Sequence, residues 1–290
     1  MKAKTIDKIW TIILYIVAIF VVGLLAVFLF YILYQGRKSL SFKFIFGSTE
    51  NGGIGRQLFN SFYMLLISLL ITIPIGIGAG IFLSEYASEN RFVNFVRLCI
   101  ETMSSLPSIV VGLFGLLLFV TTFKWKYSIL SGALSVSILN LPSMTRVTEN
   151  ALRASAKKVK EASLGLGATR WQTVSKVILP SAMPEILTGI ILASGRIFGE
   201  AAAFLYTSGM SAPELRFNNF NIFGKTSAFS LFRPAETLAV HIWKLNAEGL
   251  AANATQIANG ASAVLIIFVL LFNVCARLIG NKIHKAYSGN

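Results

Sequence analysis

The sequence predicts an all-α integral membrane protein of six transmembrane helices, and three observations carry that reading. Of its 290 residues, 55% are hydrophobic and only 13% charged, with a mean hydropathy of +0.70; soluble domains rarely reach this balance. Several stretches run to about 20 apolar residues, the length needed to cross roughly 30 Å of hydrocarbon. These stretches do not alternate apolar and polar residues, so they do not read as barrel strands; helices remain, because backbone groups in lipid need partners within their own segment.

Lys2, Lys4 and Lys8 precede a first span at 9–34. Its apolar core is longer than that of a secretory leader, and no small-residue cleavage site follows, so it reads as a retained helix. The second span is 61–83, where Gly76 and Gly80 form a G-x-x-x-G pair that permits close helix contact. The glycines at 76, 78 and 80 do not have the spacing of a dinucleotide-binding loop. A polar connection at 85–97 leads to a third span at 100–123, opened by Ser104, Ser105, Pro107 and Ser108. After the short turn carrying Lys124 and Lys126 comes a fourth span at 128–148, interrupted by Asn140, Pro142, Ser143 and Thr145. The fifth span is 182–206 and the sixth 261–279. Between them lies a long connection at 208–260, rich in Asn and Phe, expected outside the cell. Within it, Leu238, Ile242 and Leu245 stand at helical spacing, so 235–250 predicts one amphipathic helix near the outer surface. Gly224-Lys225-Thr226 resembles a phosphate-loop ending, but Asn219 stands where its first glycine belongs.

Six spans put both termini on one side. Fourteen of the 26 basic residues flank that side, ten the other, and Arg146 and Arg196 lie within spans. The fourteen sit close to span ends, where the positive-inside bias counts most, so both termini are expected in the cytoplasm. The net charge of +14 fits headgroup contact rather than nucleic acid, since no basic recognition helix or stacking platform accompanies it. Cys99 and Cys275 fall in or beside apolar spans and read as small hydrophobes, not as a disulfide or metal pair. The residues supply no catalytic constellation, no metal cluster and no nucleotide-binding motif, so any energy source is expected in another chain.

One stretch breaks the pattern. Residues 151–180 carry Lys157, Lys158, Lys160, Glu161, Arg170 and Lys176 between two apolar spans. Alanine, lysine and leucine favour helix up to Gly165 and Gly167, which break it. Thr169 is placed to cap a second short helix starting near Arg170, and Pro180 suits the first turn of the following span. The expected product is a helix-turn-helix projection into the cytoplasm.

Arg196 and Glu200 lie deep in the fifth span, where an ionised side chain costs roughly 2.5 to 3.5 kcal/mol. At i, i+4 they can pair on one helical face. They read either as a self-satisfied ion pair that locks helices or as the lining of a water-filled path, with arginine as a bidentate anion donor. Arg146, near the end of the fourth span, either snorkels to headgroups or joins that path.

Glu161-Ala162-Ser163, then Gly167, then Leu179-Pro180 resembles the EAA loop of ABC importer permeases; Ser163 and Val177 are small departures from alanine and isoleucine. Beyond the loop, from about Asn60 onward, the chain resembles the PstA-type permeases of bacterial phosphate ABC importers. The carrying segments are IGIGAGIFLSEY at 75–86, SLPSIVVGLF at 105–114, LPSMTRVTENAL at 141–152, SGRIFGEAAA at 194–203, and 273–278. Ala201 stands where that family often has threonine. The resemblance implies the MetI-like permease architecture: an N-terminal helix and outer loop at 1–57, then a core at 58–285. It implies that Glu161 to Gly167 dock into a cytoplasmic ATPase. It also implies a cell-membrane, multi-pass location and pairing with a PstC-type permease. The other implied partners are a dimeric PstB-type ATPase that binds the ATP and Mg, and an extracellular PstS-type phosphate-binding protein. On this reading Arg146, Arg196 and Glu200 lie along the transport path, and the chain itself carries no cofactor. The competing readings are a permease for phosphonate, sulfate or molybdate, an ATP-independent channel or carrier, and an intramembrane enzyme.

Overall fold

The computed structural model describes residues 2–224, 227–249 and 253–288. Among them the regular structure is helical, apart from one isolated bridge between Arg216 and Ser227. In chain order the helices are α1 (Lys2–Gly36), α2 (Phe42–Phe46), α3 (Gly55–Ile81), α4 (Arg91–Ser104), α5 (Ser108–Gly115), α6 (Ile129–Gly165), α7 (Arg170–Thr173), α8 (Leu179–Gly199), α9 (Ala202–Thr207), α10 (Leu238–Glu248) and α11 (Ala254–Ser288).

Four segments among the described residues are long and apolar enough to cross a membrane, built on α1, α3, α8 and α11. They recover the first, second, fifth and sixth expected spans. The expected third, 100–123, is not one straight run. α4 and α5 meet at an angle of 100° and make a fifth crossing only if the bent pair is counted as one. The break falls at Leu106-Pro107, because proline disfavours helical geometry in the residue before it. Residues 91–97, expected as part of a polar connection, are already helical as the start of α4, with the Asn90 side chain accepting from the Val93 N–H. The expected fourth span opens α6 but is not among the apolar segments. Ser131, Ser135, Ser137 and Asn140 interrupt it, and all four are buried against the rest of the chain.

α3 packs along α6, and the G-x-x-x-G pair lies in that seam. A Cβ on Gly80 would stand 2.5 Å from Thr148 Cβ, and one on Gly76 2.6 Å from Met144 Cγ. Gly80→Val should therefore cost about 1 to 3 kcal/mol through overpacking. A drop in the thermal midpoint of the solubilised protein, absent in a Gly78→Ala control with open space at that position, would report it.

One hydrophobic cluster gathers Leu58, Met64, Ile129, Val136, Phe204 and Leu238 at the end of the bundle where α3 and α6 begin. The connection at 208–260 seals that end more tightly than its composition suggests. Arg233 is only 1% exposed. Its guanidinium donates to Asn60 Oδ1 at 2.9 Å and to the Ala228 carbonyl, and burial pushes its pKa down to about 10, so it stays charged at neutral pH. The Gln57 amide donates to Glu236 Oε2 at 3.0 Å, and the Leu238 N–H donates to Ser61 Oγ at 2.8 Å. The amphipathic helix expected at 235–250 is α10. Its first turn, Leu238 to His241, is buried rather than lying on the surface, because these bonds draw it onto α3. Leu250, and the Lys225 and Thr226 of the discarded phosphate-loop resemblance, fall outside the described residues.

Burial pushes the Glu236 carboxyl up, but the hydrogen bond and charge of His241, with Gln57 and Lys244, outweigh it, so the group titrates below its ordinary value. The folded carboxyl thus binds its proton less readily than the unfolded one. Its contribution to stability is complete above the unfolded value of 4.5 and is lost as the pH falls through the lower, folded value. A melting profile against pH should decline on that acidic side, and Glu236→Gln should flatten the decline.

Candidate functional site

α6 continues past the bundle without interruption to Gly165, and the chain reverses over Leu166, Gly167 and Ala168. Gly167 has φ +85°, a left-handed conformation that only glycine adopts cheaply. Thr169 then forms a reciprocal cap with Gln172: its hydroxyl accepts from the Gln172 N–H at 3.3 Å, and Gln172 Oε1 accepts from the Thr169 N–H at 2.9 Å. α7 passes through a π-helical turn at Val174–Ile178 into α8, with Pro180 in the first turn. The Ser163 and Thr173 hydroxyls lie 2.9 Å apart and tie the two arms together. A second hydrophobic cluster of Met144, Leu152, Val174, Ile178 and Ile186 fixes the base. The helix-turn-helix read from Gly165, Gly167 and Thr169 is therefore present as a braced knuckle.

Glu161, Ala162 and Gly167 are exposed on it, Ser163 is half-buried, and Leu179 and Pro180 lie half-buried where α8 begins. The sequence reading did not single out the apolar residues at the tip. Leu166 is 89% exposed and Trp171 61%, with Leu164 beside them. Large apolar side chains left in water at the end of a charged projection mark a contact surface. The available signal was the presence of leucines on both sides of a glycine break.

The i, i+4 pair expected between Arg196 and Glu200 does not form. α8 ends at Gly199, and Glu200 follows with an extended ψ of 126°. Its carboxylate turns forward and accepts from the Ala203 N–H at 3.1 Å, satisfying a free donor in the first turn of α9. The expected fifth span thus breaks at Glu200. Arg196 is left exposed, and among the described residues it has neither an ion pair nor a hydrogen bond. One residue away, a Cβ on Gly195 would stand 3.9 Å from Asn273 Oδ1, a buried polar atom with no partner. An unpartnered polar atom of α11 therefore faces α8 one residue from Arg196 in the sequence.

Arg146 is exposed and pairs with Glu101 of α4 at 3.3 Å. Both line a polar cavity of about 200 Å³ with Arg97, Glu149, Asn150 and Arg153. Arg196 does not line it, so that cavity does not bring together the two arginines singled out in the sequence.

A set of apolar helices long enough to cross a membrane, with a braced, charged projection at one end, defines a multi-pass membrane protein. The chain belongs to the family of binding-protein-dependent transport system inner membrane components, which matches residues 72–288. It is 51% identical to the probable ABC transporter permease protein YqgI of Bacillus subtilis over the full length of both chains. It is 31% identical to the phosphate transport system permease protein PstA of Pasteurella multocida, covering 86% of this chain and 85% of that one. An inward-facing structure of the MetNI methionine ABC transporter matches with a TM-score of 0.61 at 19% identity, covering 79% of this chain and 94% of that one. The fold is therefore the MetI-like permease fold, and the chain is a multi-pass ABC importer permease subunit rather than an enzyme.

Proposed function

We propose that this subunit carries inorganic phosphate into the cell by alternating access. The observation that supports it most is Arg196. A guanidinium in an apolar helix with no partner among the described residues is costly unless something anionic meets it, and a tetrahedral oxyanion accepts two of its donors at once. Kinship with PstA phosphate permeases over most of the chain agrees. On this reading Glu200, turned away to cap α9, leaves the arginine free, and Arg146 with its Glu101 partner lies further along the path.

The rest of the assembly follows the same reading. A PstC-type permease completes the path, and six crossings place both termini in the cytoplasm, with 1–57 preceding the core at 58–285. A PstS-type binding protein delivers phosphate to the side holding 208–260. A dimeric PstB-type ATPase, carrying the ATP and Mg, grips the knuckle at Glu161, Ala162, Ser163 and Gly167, whose motion passes through Leu179 and Pro180 into α8. ATP closure opens the permeases outward, and hydrolysis releases phosphate inward.

The test is uptake of labelled phosphate by the complete complex in proteoliposomes, with phosphonate, sulfate and molybdate as competitors. Uptake that needs ATP and resists all three is the expected result. Uptake of one of those anions in place of phosphate overturns the substrate, and uptake by this chain alone without ATP overturns the class.

A further inference from the structure

The end of α3 lies against the knuckle in a way the transport reading does not use. At Phe82–Tyr86 the helix widens into a π-turn, closed by the Ala87 N–H donating to the Phe82 carbonyl at 2.8 Å. Such turns carry one residue too many for the α ladder and recur at functional positions. Two consecutive side chains of this turn are held by the two arms of the knuckle. Lys160, on the α6 arm, donates to Glu85 Oε2 at 2.7 Å, and the Glu85 side chain is only 2% exposed. Arg170, opening the α7 arm, sits over the Tyr86 ring at 5.6 Å.

The same turn is tied onward to α4. Arg97 donates from one guanidinium nitrogen to the Leu83 carbonyl at 3.2 Å and from another to Glu149 Oε1 of α6 at 2.9 Å. Arg153 also meets that Glu149 oxygen, at 3.0 Å. α4 is the first limb of the bent pair, so these bonds tie 82–86 to the helix that ends at the 100° corner.

We propose that Glu85 and Tyr86 are positioning residues for transport: they take up the movement of both knuckle arms and pass it, through Leu83 and Arg97, to the bent α4–α5 pair. A buried carboxylate held at 2.7 Å by a half-exposed lysine suits this, since the contact joins α3 to the α6 arm and loses its hold when one charge is removed. The proposal rests on the reading that an ATPase drives the knuckle, and not on which anion is carried.

The experiment uses the assembled transporter and reads phosphate moved per ATP hydrolysed for Glu85→Gln, for the charge swap Glu85→Lys with Lys160→Glu, and for Glu161→Lys. Spin labels at Glu89→Cys and Lys157→Cys, both exposed, report the distance from the turn preceding α4 to α6 with and without ATP in a background lacking Cys99 and Cys275. The expected result for Glu85→Gln is retained hydrolysis, at least about a tenfold loss of transport per ATP, and a distance distribution that broadens when ATP binds; the swap recovers both. An unchanged ratio and an unchanged distribution in Glu85→Gln overturn the inference. Full uptake by Glu161→Lys sinks the driven-knuckle reading itself, whereas loss in Glu161→Lys with none in Glu85→Gln sinks only the role of the π-turn. A swap that inserts normally but recovers neither readout also overturns it.

Discussion

Gly167→Pro is expected to abolish ATP-driven uptake while the chain still enters the membrane in normal amounts. Gly167 holds φ +85°, and proline is locked near −65°, so the reversal between α6 and α7 cannot keep its path. The damage stays local, because a Cβ at this position meets nothing within 4 Å and the knuckle base is anchored separately by Leu152, Val174 and Ile178. What is lost is the relative setting of exposed Glu161, Leu166 and Trp171. Glu161→Lys reaches the same end by another route, reversing the charge of a single solvent-exposed side chain while the rest of its arm stays anchored. Immunodetection of inserted protein alongside uptake checks both variants; normal uptake in either would show that this surface transmits nothing.

The second large effect is at Arg196. Arg196→Ala should reduce phosphate uptake by about tenfold to a hundredfold, because a charge-assisted hydrogen bond is worth roughly 1.5 to 3 kcal/mol and each 1.4 kcal/mol is a factor of ten. Stability should move little, since within this chain the side chain is exposed and bonds to nothing among the described residues. Arg196→Lys keeps the charge and loses the fork, so it should recover only part of the rate. Unaltered transport by Arg196→Ala, measured with purified complex at matched protein, removes this residue from the path.

What the sequence made legible was local. The knuckle could be read because its determinants, Gly165, Gly167, Thr169 and Pro180, act within a few residues of themselves, and the apolar runs that became α1, α3, α8 and α11 follow from length and composition alone. The expected Arg196–Glu200 pair failed because i, i+4 spacing presumes a continuing helix. Glu200 instead leaves the helix and satisfies an N–H of α9. The bond set joining Gln57, Asn60, Arg233 and Glu236 spans more than 170 positions, and that joining Glu85 to Lys160 spans 75; no periodicity announces either. The buried serines of α6 explain the missing fourth apolar run: polar side chains that face other helices lower the hydropathy of a segment without exposing it to lipid.

α1 runs for 35 residues, roughly 52 Å at 1.5 Å per residue, well beyond the ~30 Å of a bilayer's oily layer. Residues 4–31 are exposed all round, and among its described side chains the helix is buried only at Gly36, where it crosses α11. Fastened at one end and otherwise clear of the rest of this chain, it behaves like a mast stepped at its foot. Its lean is then free to follow the thickness of whichever membrane surrounds it, while the working core beside it keeps its own shape.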